Sequence, residues 1–190
     1  MKKTLLTLFF IILSTNLYAS NIKKVYFAGG CFWCMEESFD KVEGVIETIS
    51  GYSGGHVKNP KYKDVVKNTT GHYETLEITY DPSITNFEKL LEIFWVNIDP
   101  FDADGQFCDK GESYKSVVFY ENSDQKKIIE TSIKNIENKF NKKVVTYVKN
   151  FKEFYMAETY HQDYYEKNFI RYLMYKKGCQ REEVLNKIWG

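Results

Sequence analysis

Two thiols stand three residues apart in Gly29-Gly30-Cys31-Phe32-Trp33-Cys34. The apolar run from Val25 to Ala28 before them reads as a strand. After them Phe32, Met35 and Phe39 recur at near-helical spacing, so the pattern is strand, Gly-Gly turn, helix. Cys31 then falls in the first turn, where backbone N–H groups lack intrahelical partners and the dipole is positive. Both favour thiolate over thiol and predict a pKa below the ordinary value of about 8.5. Cys31 is therefore the candidate nucleophile. With Cys34 it could also cycle as a dithiol pair, as in thioredoxin-like oxidoreductases, or form a structural disulfide. Cys108 and Cys179 stand alone, so no second ligand pair suggests zinc, and neither a metal nor an organic cofactor is expected.

A second group with chemistry lies in the strand predicted over Tyr73–Tyr80. Leu76, Ile78 and Tyr80 share one face and Thr75, Glu77 and Thr79 the other. Continuing the alternation backwards puts Glu74 on the apolar face. A carboxyl there must be paired or remain protonated. The alternative is a register break that leaves Glu74 in an exposed loop.

Interleaved strands and helices must position these groups. Strands are expected over Val45–Tyr52, Tyr114–Tyr120 and Val144–Val148, and a short helical turn over Pro60–Val66. Thr85-Asn86-Phe87-Glu88 has the form of a capping box. The helix after it carries Phe87, Leu90, Leu91, Phe94, Trp95 and Ile98 on one face and ends before Asp99-Pro100. Ser123 caps a second helix with Ile129, Ile133, Ile136 and Phe140 on one side. The class is α/β (α+β): a two-layer sandwich of helices on a mixed β-sheet. A long irregular tail follows, rich in Tyr between Tyr155 and Tyr175. It carries short helical stretches around Gln162–Asn168 and Arg181–Trp189, and a Gly-flanked Cys179.

The first residues differ in kind. Lys2 and Lys3 precede an apolar run from Leu5 to Leu13, and a polar stretch ends in Leu17-Tyr18-Ala19. This is the layout of a secretory signal over residues 1–19, with 20–190 as one domain; an uncleaved anchor is the alternative. The expected location is periplasmic or extracellular, where thiols are bridged or kept reduced by a dedicated donor. The full chain balances 26 cationic against 26 acidic side chains. That composition gives no reason to expect nucleic acid or an anionic membrane surface as a partner.

Several motifs resemble one family. Gly30-Cys31-Phe32-Trp33, Gly51-Tyr52-Ser53-Gly54-Gly55, Asn59-Pro60-Lys61-Tyr62, Thr70-Gly71-His72-Tyr73-Glu74, Phe94-Trp95, Asp99-Pro100 and Asp109-Lys110-Gly111-Glu112-Ser113-Tyr114 follow one another as in the type A peptide-methionine (S)-S-oxide reductases. The resemblance runs from about Lys24 to Trp189. It implies thiol-dependent reduction of the S-epimer of methionine sulfoxide, through a sulfenic acid on Cys31 and then a disulfide. It implies Glu74 as acid catalyst and Phe32 and Trp33 as the pocket for the substrate methyl group. Tyr62 and Tyr114 would hold the sulfoxide oxygen, with Asp109 beside them. Cys179 is the expected resolving cysteine, ahead of Cys34 and Cys108. The partners implied are oxidised methionine in peptides or proteins and thioredoxin, or a thioredoxin-like exported reductant; the enzyme is expected to be monomeric. Ile98 replaces the His common in that family and is given no role. His56, His72 and His161 are expected to be scaffold. The rival reading is a thioredoxin-like dithiol oxidoreductase using Cys31 and Cys34.

Overall fold

The computed structural model describes residues 21–190; the signal segment predicted over 1–19 lies outside them. In chain order the elements are β1 (Lys23–Ala28), α1 (Phe32–Phe39), β2 (Val45–Ser53), α2 (Tyr62–Val65), β3 (Tyr73–Tyr80), α3 (Phe87–Val96), β4 (Gly105–Gln106), β5 (Asp109–Lys110), β6 (Val117–Tyr120), α4 (Ser123–Phe140), β7 (Tyr147–Asn150), β8 (Phe154–Met156), α5 (Tyr164–Lys167), α6 (Phe169–Gly178) and α7 (Arg181–Trp189). Six strands form one sheet in the order β7-β6-β1-β3-β2-β8. Only the β6–β7 pair is parallel, so the sheet is mixed as expected.

The main core lies between one sheet face and the helices. Val25, Phe27, Leu76, Ile78 and Tyr80 meet Met35 and Phe39 of α1, Phe87, Leu90, Leu91 and Phe94 of α3, and Ile129 and Ile136 of α4. This is the face that the period-two pattern of β3 assigns to the core. The opposite face is also covered: Tyr26, Tyr73 and Phe119 pack with Phe151 and Phe154. Every residue of β3 is accordingly buried, and Glu77 pairs with Lys24 at 2.6 Å.

Two predicted caps shift. The side chain of Asn86, not Thr85, accepts from the Lys89 amide at 2.9 Å. Asn122 takes the place of Ser123, accepting from the amides of Asp124 and Gln125. In each case the amide oxygen of an adjacent Asn serves as well as a hydroxyl. The predicted strand at Val144–Val148 moves to Tyr147–Asn150, where it extends the parallel edge beside β6. The tail is more regular than expected. After Asp163 it forms three helices, and α5 and α6 lie against α1 because Tyr165 and Tyr172 bury on Cys31 and Cys34.

Candidate active site

The turn between β1 and α1 brings the chemistry together. Gly30 has φ +80°, and a Cβ there would lie 2.5 Å from the Gln106 side chain, so this position requires glycine. Cys31 is the residue that caps α1. One small pocket of about 70 Å³ is lined by Cys31, Phe32, Trp33, Tyr62, Glu74, Asp109, Tyr114 and Tyr175. Every non-cysteine site residue expected from the sequence is therefore gathered around Cys31.

Glu74 is 2 % exposed, and its Oε2 accepts from the Phe32 amide at 3.1 Å. Burial pushes its pKa well above the ordinary carboxylate value, against the pull of that N–H, and the Asp109 charge adds to the rise. The burial of Glu74 expected from the alternation of β3 is what the fold provides. Tyr62 and Tyr114 interact with each other at the same pocket. Burial first, and then the nearby Glu74 charge, raise both phenols, that of Tyr62 to about 12.

Burial works against the expected thiolate at Cys31. Cys31 is buried and its pKa is raised, chiefly by desolvation, then by the adjoining Cys34 thiol and the acids Glu74 and Asp109. The first amide of α1, which could have stabilised a thiolate, is taken by Glu74. The Cys34 thiol shifts the opposite way. Its interaction with the Cys31 thiol and the Arg181 charge bring it down to about 7. Arg181 is itself buried; its guanidinium donates to Asn97 O and Met35 Sδ, and among the described residues no carboxylate pairs with it.

The cysteines fall into two pairs. Cys31 and Cys34 are free thiols in one buried cluster with Tyr165 and Tyr172. Cys179 is disulfide-bonded to Cys108, with a Cα–Cα separation of 4.8 Å. In this state Cys34, and not Cys179, is the thiol beside Cys31.

The contributions of Tyr175, Tyr164 and Glu158 were not visible in the sequence, whereas His161 has the scaffold role expected of it. Tyr175 lines the pocket and donates its hydroxyl to Asp109. Trp33 Nε1 donates to His161 Nδ1 at 3.2 Å, and Tyr164 stacks on the Trp33 ring at 3.8 Å. His161, pulled down to about 4 by burial, can accept that bond as a neutral ring. Glu158 accepts from the Tyr62 amide and the Tyr52 hydroxyl, which fixes the start of α2. The available signal was the density of Tyr in the tail, with Tyr172 and Tyr175 one helical turn apart. His72 is scaffold, as expected: it takes the Gly55 amide and contacts Val57 O at 2.7 Å.

Comparison with known proteins returns one answer. The family model described as peptide methionine sulfoxide reductase matches residues 23–190. Peptide methionine sulfoxide reductase MsrA 2 of Staphylococcus aureus (strain MW2) is 47 % identical over 165 residues, covering 86 % of this chain and 93 % of that protein. The reduced form of Mxr1 from Saccharomyces cerevisiae superposes with a TM-score of 0.72 at 29 % identity, over 77 % of this chain and 86 % of that one. Mxr1 in complex with Trx2 shares the fold, with a TM-score of 0.51 at 21 % identity, over 75 % of this chain and 84 % of that one.

Proposed function

The chain belongs to the peptide methionine sulfoxide reductase family and reduces methionine sulfoxide by thiol chemistry; we propose that Cys31 is its nucleophile and Glu74 its proton donor. The observation that carries this is the buried Glu74 carboxyl, bonded to the residue after Cys31 and lining the same pocket.

Glu74, kept neutral by burial, gives its proton to the sulfoxide oxygen and makes the sulfur electrophilic. Cys31 needs a proton acceptor, and the Cys34 sulfur beside it, whose pKa is brought down by its interaction with Cys31 and then by the Arg181 charge, is one. The Cys31 thiolate formed by that transfer attacks, methionine leaves, and Cys31 keeps the oxygen as sulfenic acid. The overall balance is sulfoxide plus thiolate plus the Glu74 proton giving thioether plus sulfenic acid. Phe32 and Trp33 form the apolar wall for the methyl group. The hydroxyls of Tyr62 and Tyr114 hold the oxygen, and Asp109, fixed by Tyr175, borders it. The family resemblance supports the S-epimer, free or within proteins, as the substrate, and so the repair of oxidised proteins.

A disulfide then forms within the chain, with Cys34 the thiol beside Cys31 and Cys179 the resolving cysteine that the resemblance implies, and an external dithiol restores the enzyme. The Mxr1 complex with Trx2 supports thioredoxin or a thioredoxin-like donor. The layout of residues 1–19 supports export, and with it a donor outside the cytosol. The enzyme acts as a monomer. The test is turnover of a methionine sulfoxide peptide with dithiothreitol: the wild-type chain forms methionine and Cys31→Ser forms none. Equal rates would refute the assignment.

A further inference from the structure

The two free thiols open onto different spaces. Cys31 lines the substrate pocket with Glu74 and Asp109. Cys34 lines a second cavity of about 260 Å³ with Glu37, Asn97, Lys176, Arg181 and Leu185. The two linings share no residue. The second cavity is below the roughly 300–1,000 Å³ of sites for drug-sized ligands, so its occupant is small.

Arg181 sets the charge of that cavity. It is 3 % exposed. Its Nη2 donates to Asn97 O and Met35 Sδ, and its Cζ lies 4.4 Å from the centre of the Phe107 ring. Among the described residues Nε and Nη1 find no acceptor. Glu37 is already held by Lys176 at 2.7 Å and by the Tyr172 hydroxyl at 2.6 Å, and Glu182, also in the lining, is exposed. A buried cation without a counter-charge is costly, and its spare N–H groups suit an oxyanion.

Resting on the reading that Cys34 closes a disulfide with Cys31, we propose that this cavity admits a small thiol bearing a carboxylate, which reduces that disulfide through an entrance the sulfoxide does not use. The carboxylate pairs with Arg181, and the ligand's thiolate attacks the Cys34 sulfur. A bond forms between those two sulfurs, the Cys31–Cys34 bond breaks, and Cys31 leaves as thiolate. The thiolate of a second molecule attacks the ligand sulfur of the mixed disulfide, and Cys34 leaves as thiolate. Two small thiolates have become one disulfide, and their electrons have reduced the protein's. The lower pKa of Cys34 by itself favours the opposite attack, on Cys31. Access decides the direction. Cys31 faces a pocket of about 70 Å³ bordered by two carboxyl groups, whereas Cys34 faces the wider cavity with a cation in its wall.

The test uses the full chain with Cys108→Ser and Cys179→Ser, so that the inner couple acts alone. One equivalent of methionine sulfoxide peptide oxidises it, and the return of thiols is timed with mercaptoacetate, mercaptoethanol or mercaptoethylamine. Rates are compared per thiolate and corrected for basicity. Anionic mercaptoacetate should be roughly 10-fold faster than cationic mercaptoethylamine, or more, with the neutral thiol between them. Asn186→Trp, at an exposed position of the cavity lining, should abolish that preference and leave methionine release unchanged. The same thiols as sole reductants for the chain with all four cysteines, with and without Asn186→Trp, give a second measurement. Equal corrected rates for the three thiols, or a preference that survives Asn186→Trp, would overturn the cavity's role while leaving the reductase reading intact. No methionine from the chain with all four cysteines would overturn both.

Discussion

The backbone N–H of Phe32 donates to Oε2 of Glu74 at 3.1 Å. This one bond takes up an orphan donor at the start of α1 and anchors the acid beside the nucleophile. It also removes from Cys31 the group that would have favoured its thiolate. Burial raises both groups, and this contact acts against it at Glu74.

Glu74→Gln keeps the shape and the Phe32 bond but supplies no acidic proton. Sulfoxide reduction should fall roughly 10²–10⁴-fold with an unchanged circular dichroism spectrum. Near-wild-type turnover would take Glu74 out of the mechanism.

The pH profile of kcat/KM has two predicted limbs. The rate should rise as the thiol pair loses its first proton, at about 7 by the value at Cys34. It should decline on the alkaline side as the raised carboxyl of Glu74 ionises, since only its protonated form donates. Arg181→Gln removes the cation beside Cys34, so the acid limb should move upward. Thiolate absorbance against pH would show the same shift. An unmoved titration would sever Arg181 from the pair.

Tyr62→Phe and Tyr114→Phe each delete a hydroxyl from the pocket without opening a cavity. If these groups bond the developing charge on the sulfoxide oxygen, each loss is worth about 1.5–3 kcal/mol, or roughly 10–100-fold in kcat/KM. The double variant should cost less than the sum, because the two hydroxyls interact. Full additivity would separate their roles.

Glu36 gives a stability test away from the chemistry. It is fully buried on α1, and neither carboxyl oxygen has a well-aligned partner, although the amides of Asp163 and Tyr164 lie nearby. Burial raises its pKa from 4.5 to about 8, with Asp40 and Asp163 adding to the rise. The folded state therefore binds a proton that the unfolded chain releases. Stability from this group is complete below about pH 4.5 and is lost progressively up to about pH 8, by roughly 3–5 kcal/mol. Glu36→Gln should flatten that slope in urea melts taken across the range. A parallel decline in the variant would assign the slope to other groups.

The parts of the site that were legible in the sequence are those written locally. Strand, Gly-Gly and helix place Cys31 within a few residues, and the alternation of β3 aims Glu74 inward without reference to any other segment. The order of helices and strands was readable for the same reason. The upward shift of Cys31 was not, because it comes first from burial in the folded chain and then from Cys34 and from Glu74 and Asp109, acids that only the fold brings beside it. Tyr175 and Arg181 were missed because only tertiary packing carries the tail back over α1. The Cys108–Cys179 pairing likewise joins sulfurs separated by 71 residues, a distance over which spacing says nothing.

The most direct measurement uses a chain in which Cys34, Cys108 and Cys179 are replaced by Ser. It is mixed with one equivalent of methionine sulfoxide peptide in the presence of dimedone and then mapped by mass. The prediction is one adduct per chain, on Cys31, forming in step with methionine release. Methionine released with no modification of Cys31, or a modified Cys31 with no methionine, would contradict the account.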